Sequence, residues 1–263
     1  MLFSFGLRLR QERMTKLNIY KTDLFHVHTY RCKHAEEISD EAYVKKAIAV
    51  GASGILFADH SPFPGNPFGN RMDMEQLPEY LDTIGRLKER YADKISIHAG
   101  LEVEYLPSFH SFYEKLRDTP LLDFMMIGQH MYEVRPGTYS FQLSPAEKNR
   151  YEHIGCAEAM IQGIESGLFD IIAHPDRCFK RQKEWTEDMT ALSRNLIASA
   201  CAAGVKLEKN LESMARKRYF REEFWCLVPD TADIVIGTDA HSVDDMVKKW
   251  DIQQLLFCEE SDN

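Results

Sequence analysis

Short apolar runs recur along the chain, each followed by polar punctuation and then by an amphipathic helical pattern. The runs at 24–28, 54–60, 95–105, 123–130, 169–176, 205–210 and 233–241 are mostly short and β-rich, as parallel strands buried on both faces should be. Between them, the segment 40–50 stops at Gly51, a helix C-terminal signal. The segment 77–91 sets Leu81, Ile84, Leu87 and Tyr91 at helical spacing. Further helices are predicted over 108–118, 144–166, 187–203, 218–227 and 242–257. Strands alternating with helices predict an α/β fold, either a parallel β/α barrel or an open doubly wound sheet. No GxGxxG or GxxxxGK[ST] loop follows any of these strands, which counts against the nucleotide-binding open sheet. No Pro-, Gly- or Ser-rich linker divides the chain. It is therefore expected to form one domain over 16–263, with 1–15 an N-terminal extension of no assigned function. The least regular stretch is the loop 61–73, SPFPGNPFGNRMD.

Composition narrows the classes of function. A length of 263 residues with 44% hydrophobic and 28% charged residues suits a globular protein with a substantial core. The formal net charge of −9 disfavours long nucleic acid and anionic membrane as partners, although bound divalent cations would reverse the field locally. No apolar stretch approaches the roughly 20 residues that span a bilayer. Cys32, Cys156, Cys178, Cys201, Cys226 and Cys258 are scattered without a CxxC pair, which predicts reduced thiols and a cytoplasmic location. A homo-oligomer is compatible with this composition.

The candidate chemistry lies in where the histidines fall. His26 and His28 stand at the end of the first run, His60 at the end of the second, and His130 at the end of the fourth. His174 falls in the fifth, and Asp239 and His241 in the seventh. In a β/α barrel these strand ends converge on one mouth. Several buried imidazoles need their nitrogens satisfied, and divalent zinc, manganese or iron would satisfy them. Residues i and i+2 on a strand share a face, so His26 and His28 are expected to grip one ion. Glu102 is the candidate bridging carboxylate and Glu104, on the same face, is its rival. Asp239 ends the run DIVIGTD, where an unpaired carboxylate would be costly. Its alternative role is to cap the next helix, for which Ser242 competes. Cys32 reads as a buried free thiol rather than a ligand. His98, His110 and His153 fall mid-strand or in helices and are set aside as ordinary histidines.

In order along the chain stand FHVHT, RCKHA, FADHS, GLEVEY, IGQHM, IAHPD and GTDAHS, between Asp23 and Ser242. This ordered set resembles the PHP (polymerase and histidinol phosphatase) superfamily. The stretch RMDMEQLPEYLDTIGRLKERYADKISIHAGLEVEYLP, together with RCKHA, is most similar to its histidinol-phosphate phosphatase branch. The resemblance implies a distorted seven-stranded (β/α)7 TIM-like barrel with two or three divalent ions at the C-terminal strand ends. It implies that His26, His28, Glu102 and Asp239 hold one ion, that Glu102, His130 and His174 hold a second, and that His34, His60 and His241 hold a third. His34 enters on the resemblance alone. One departure stands out: the family usually places Asp two residues before its first histidine, whereas Asp23 stands three before His26.

The implied reaction is phosphomonoester hydrolysis of a small phosphorylated metabolite, L-histidinol phosphate to L-histidinol and phosphate, a step of histidine biosynthesis. Glu102, Asp239 and His241 belong to its expected catalytic centre. Arg177, Arg216 and Lys217 are candidates to meet the phosphate charge. Asp176 or the third-ion group would protonate the leaving alkoxide, Glu208 would either meet a cationic leaving group or serve as a structural strand-end carboxylate, and the loop 61–73 would cover the substrate. Three rival readings are disfavoured. A relative acting on nucleotides or nucleic-acid ends is disfavoured by net charge. An amidohydrolase-type barrel usually takes its bridging lysine from the fourth strand, where this chain has His130. A non-catalytic metal-binding regulatory domain would not be expected to keep every ligand.

Overall fold

The computed structural model describes residues 17–261; the expected extension 1–15 lies outside them. Seven strands form a parallel sheet: β1 (Asp23–Val27), β2 (Gly54–His60), β3 (Ser96–Val103), β4 (Phe124–Ile127), β7 (Ile171–Ile172), β8 (Lys206–Asn210) and β9 (Ile234–Gly237), in the order β1-β2-β3-β4-β7-β8-β9. A hairpin of β5 (Glu133–Arg135) and β6 (Thr138–Tyr139) stands apart from it. The sheet closes on itself near the carboxyl ends. Val27 bridges Ala240 in parallel, Thr238 N donates to the Phe25 carbonyl at 2.8 Å, and His28 N donates to Ala240 at 2.9 Å. The result is the seven-stranded TIM-like barrel anticipated above.

Both faces of the sheet are covered, so buried apolar side chains alternate between the helix side and the barrel interior. Leu24, Ile55, Phe57, Leu101, Val103 and Ile127 face the helices. Phe25, Leu56, Ala58, Phe124, Met126, Ile171, Ala173 and Val235 fill the barrel interior, with Leu17 and Ile19 packed against them. This apolar plug is the base on which the polar layer at the carboxyl ends rests.

The helices are α1 (Asp40–Ala49), α2 (Leu77–Arg90), α3 (His110–Arg117), α4 (Pro145–Glu165), α5 (Glu187–Ala203), α6 (Leu211–Met214), α7 (Glu222–Trp225) and α8 (Val243–Ser261). α2 buries Leu77, Tyr80, Leu81, Ile84 and Leu87 along one face, the stripe its spacing predicts. α4 begins in a capping box between Ser144 and Glu147, with Pro145 as its first residue. Gly51 follows α1 at φ 83, the left-handed stop expected there.

Three segments differ from expectation. The run 169–176 yields a strand of only two residues, because the chain turns at His174 (φ 33) into a 3-10 turn opened by Pro175. The helix expected over 218–227 shrinks to α7, and the four residues of α6 are too short to leave a periodic signal. The β5–β6 hairpin, for which no strands are predicted, turns at Pro136–Gly137, a turn dipeptide, with Gly137 at φ 76.

Candidate metal centre

His26 and His28 converge, with ring centroids 4.9 Å apart, but not by simple i,i+2 alternation. Phe25 points into the barrel, so strict alternation would turn both histidines outward. Instead the β1–β2 register shifts between Phe25 and Val27, and His26 adopts φ 67. This bulge sends Phe25 and His26 inward in succession, turns Val27 to the helices, and returns His28 to the mouth. His174 (φ 33) and Asp239 (φ 51) are likewise left-handed. Such backbone is unfavourable for residues with a Cβ and tends to collect at functional sites. Here it aims side chains at one point.

That point is Glu102, whose two oxygens face different histidines. Oε2 lies 3.5 Å from His26 Nε2, 3.6 Å from His28 Nε2 and 2.9 Å from His60 Nδ1. Oε1 lies 2.9 Å from His174 Nε2 and 3.8 Å from His130 Nε2. A carboxylate divided in this way is suited to bridging two cations. Asp239 Oδ1 completes the first group, 3.4 Å from His28 Nε2 and 3.9 Å from His26 Nε2. His34, His60 and His241 form a further group whose donor atoms lie within 4.8 Å of one another. His34 reaches this position from the loop after β1. There the buried Arg31 makes two bonds to Asp40 and two to Glu79, tying the loop to α1 and α2. Cys32 is a buried free thiol whose burial pushes its pKa up to about 12, though its sulfur lies near His28 and His241.

The donor set fits divalent ions by an independent criterion. His26 Nε2, both ring nitrogens of His28, His60 Nδ1 and His241 Nε2 are buried without hydrogen-bond partners. Orphaned nitrogens of this kind are costly unless a cation takes them up. His60 Nδ1 makes no hydrogen bond even at 2.9 Å from Glu102. Burial opposes ionisation of Glu102, but His60, His130 and His26 outweigh it and hold the carboxyl well below its usual range.

The outward ring nitrogens are held by partners. His26 Nδ1 lies 2.6 Å from Glu208 Oε1, and His130 Nδ1 lies 3.2 Å from Glu104 Oε1. His34 Nδ1 bonds the Cys32 carbonyl at 2.8 Å and His241 Nδ1 bonds the Asp239 carbonyl at 3.1 Å. Each bond leaves Nε2 to face the centre, the usual second contact of a ligating imidazole. Two expectations are corrected here. Glu208 does not meet a leaving group: it is fully buried, its other oxygen accepts from His174 N at 2.9 Å, and it fills the space left by Gly237. Glu104 is not a rival bridging group, since Arg71 grips it with two bonds of 2.7 and 3.0 Å. Asp23 lies at the opposite end of β1, bonded to Ser53 and the Tyr20 amide, and has no part in the centre.

Above the cluster opens a cleft of about 1060 Å³, lined by His34, His60, His130, Asp239 and His241 and by Phe68 and Arg71 of the loop 61–73. The loop thus forms one wall, as expected of a cover. Arg177 lines the floor, with Nη2 donating to Asp239 Oδ2 at 2.8 Å. Arg216 stands at the rim, paired with Glu212. Lys217 is exposed and does not line the cleft. Neither does Asp176, which was expected to donate a proton. It is fully buried, bonds Arg221 N at 2.8 Å, and is pushed up to about 7 by burial. Arg71, Asp59 and the partner role of Glu208 were missed. Asp59 Oδ1, bonded to Thr29 N, lies 3.8 Å from His28 Nδ1.

Gly128 is the cradle of Glu102, because a Cβ there would collide with the Glu102 carboxylate. Gly128→Ala is expected to displace that group, costing about 1–3 kcal/mol and lowering bound zinc. Urea denaturation and metal analysis check this, and wild-type values in both would sink it.

Comparisons with known proteins bear on the family and the fold. "Probable histidinol-phosphatase" of Deinococcus radiodurans is 32% identical over 161 residues, the match covering 57% of this chain and only 59% of that protein. A histidinol-phosphatase of Lactococcus lactis is 30% identical over 201 residues, 73% of this chain and 71% of its own. Among solved structures, a histidinol phosphate phosphatase of Lactococcus lactis subsp. lactis, complexed with zinc, L-histidinol and phosphate, superposes with a TM-score of 0.63 at 22% identity. That superposition covers 89% of this chain and 94% of the other, and it establishes the fold. With residues 25–211 matching the PHP domain, the chain belongs to the PHP domain family.

Proposed function

We propose that the protein hydrolyses phosphomonoesters and that L-histidinol phosphate is its substrate, yielding L-histidinol and phosphate. The observation that carries this reading is Glu102, with Oε2 toward His26 and His28 and Oε1 toward His130 and His174 beneath an open cleft. His26, His28, Glu102 and Asp239 would hold one ion, Glu102, His130 and His174 a second, and His34, His60 and His241 a third. Bound divalent ions would supply Lewis acidity to the phosphate and an acidified water at neutral pH. The chain's own residues set the geometry. Arg177 spends Nε and Nη2 on Ser213, Asn210 and Asp239, and among the described residues its Nη1 has no protein acceptor. That nitrogen is offered to a phosphate oxygen, where a guanidinium binds well.

Support for the specific substrate comes from the Lactococcus relatives, one of them solved with L-histidinol and phosphate. Five of the cysteines are free, which fits the cytoplasm as its location. The test is a panel of phosphomonoesters, including histidinol phosphate and nucleoside monophosphates, assayed for phosphate release with added zinc or manganese. Histidinol phosphate is expected to give the highest kcat/KM. A preference for nucleotides would overturn the substrate assignment, and no turnover of any ester would overturn the phosphatase reading.

A further inference from the structure

Lys249 of α8 lies buried directly behind the metal ligands. Its ammonium group donates to the Asp239 carbonyl oxygen at 3.1 Å and to Asp245 Oδ2 at 2.7 Å, and it pairs with Glu212 Oε2 at 2.8 Å. Three acceptors match its three N–H groups. The Asp239 carbonyl has a second visitor, His241 Nδ1 at 3.1 Å. That bond fixes the tautomer of His241 and leaves Nε2, buried and unpartnered, for the centre. Lys249 and His241 therefore take both lone pairs of one oxygen. The peptide carrying it belongs to a residue at φ 51, a conformation that needs outside support.

We propose that Lys249 is a positioning residue that holds this single carbonyl and thereby sets the aim of Asp239, a ligand of one ion, and His241, a ligand of another. This role rests on the metal-site reading above. It also ties the cleft wall to the centre, because the carboxylates of Glu212 and Asp245 share the same ammonium.

Lys249→Met alone strands two carboxylates and endangers the fold. The decisive comparison is therefore between the double variant Glu212→Gln/Asp245→Asn and the triple variant that adds Lys249→Met. Zinc uptake is titrated against a chromogenic chelator, zinc per chain is counted, and urea midpoints are recorded for both. The double variant, which keeps the donor to Asp239, is expected to bind zinc as wild type does. The triple variant is expected to bind at least one ion roughly 10–100-fold more weakly at an unchanged urea midpoint. Equal affinity and stoichiometry in the two variants would overturn the role of Lys249, as would weakening that only follows a fall in the midpoint. Wild-type protein that takes up no zinc would overturn the metal-site reading as well, so the two failures are distinguishable.

Discussion

Glu102→Gln is expected to reduce phosphate release from histidinol phosphate on the order of 10³-fold or more, with loss of at least one zinc per chain. The substitution keeps the shape of the side chain and changes its chemistry. Oε2 now faces His26, His28 and His60, and Oε1 faces His130 and His174. A glutamine would present an NH2 donor to one of these groups, where a cation needs an acceptor. It would also remove the negative charge that offsets the ions in a fully buried position. Both ions that would share the carboxylate would be affected together, so the loss is expected to exceed that for a terminal ligand. Activity within about tenfold of wild type would count decisively against a bridging role.

Removal of the ions is expected to lower the thermal midpoint on the order of 10 °C. At zinc concentrations a thousand times the dissociation constant, one site contributes about 4 kcal/mol to the folded state. For a domain of this size, 1 kcal/mol moves Tm by about 2–4 °C. The buried nitrogens of His26, His28, His60 and His241 are the groups left unsatisfied by chelation. Calorimetry with and without a chelator, followed by zinc add-back, measures the effect. A midpoint indifferent to both treatments would mean that the cluster holds no ion.

The barrel was legible because its strands are buried on both faces, so runs such as GILFADH of β2 read as apolar blocks of strand length. The centre was legible because histidine after histidine fell where those blocks end. What escaped was set by backbone detail and by contacts distant in sequence. Nothing in FHVHT announces the bulge at His26, since the HxH pattern looks the same whether or not the register shifts. Glu208 and Glu102 are both strand-end carboxylates. That one holds a ring from behind and the other faces the centre depends on the inward turns at His26 and His174. Arg71 lies in a loop with no periodicity, and its partner Glu104 is 33 positions away. Asp176 follows HP in the motif, yet the 3-10 turn rotates it away from the cleft toward Arg221.

The plug of Phe25, Leu56, Phe124, Met126 and Ile171 makes the barrel a blind well rather than a tunnel. Traffic is therefore one-way in and the same way out. Whatever leaves second must clear the opening between the loop 61–73 and Arg216 before another substrate can descend. Under the proposed function, a product held deepest in the well would then have to leave last and would compete with the next substrate for the same opening.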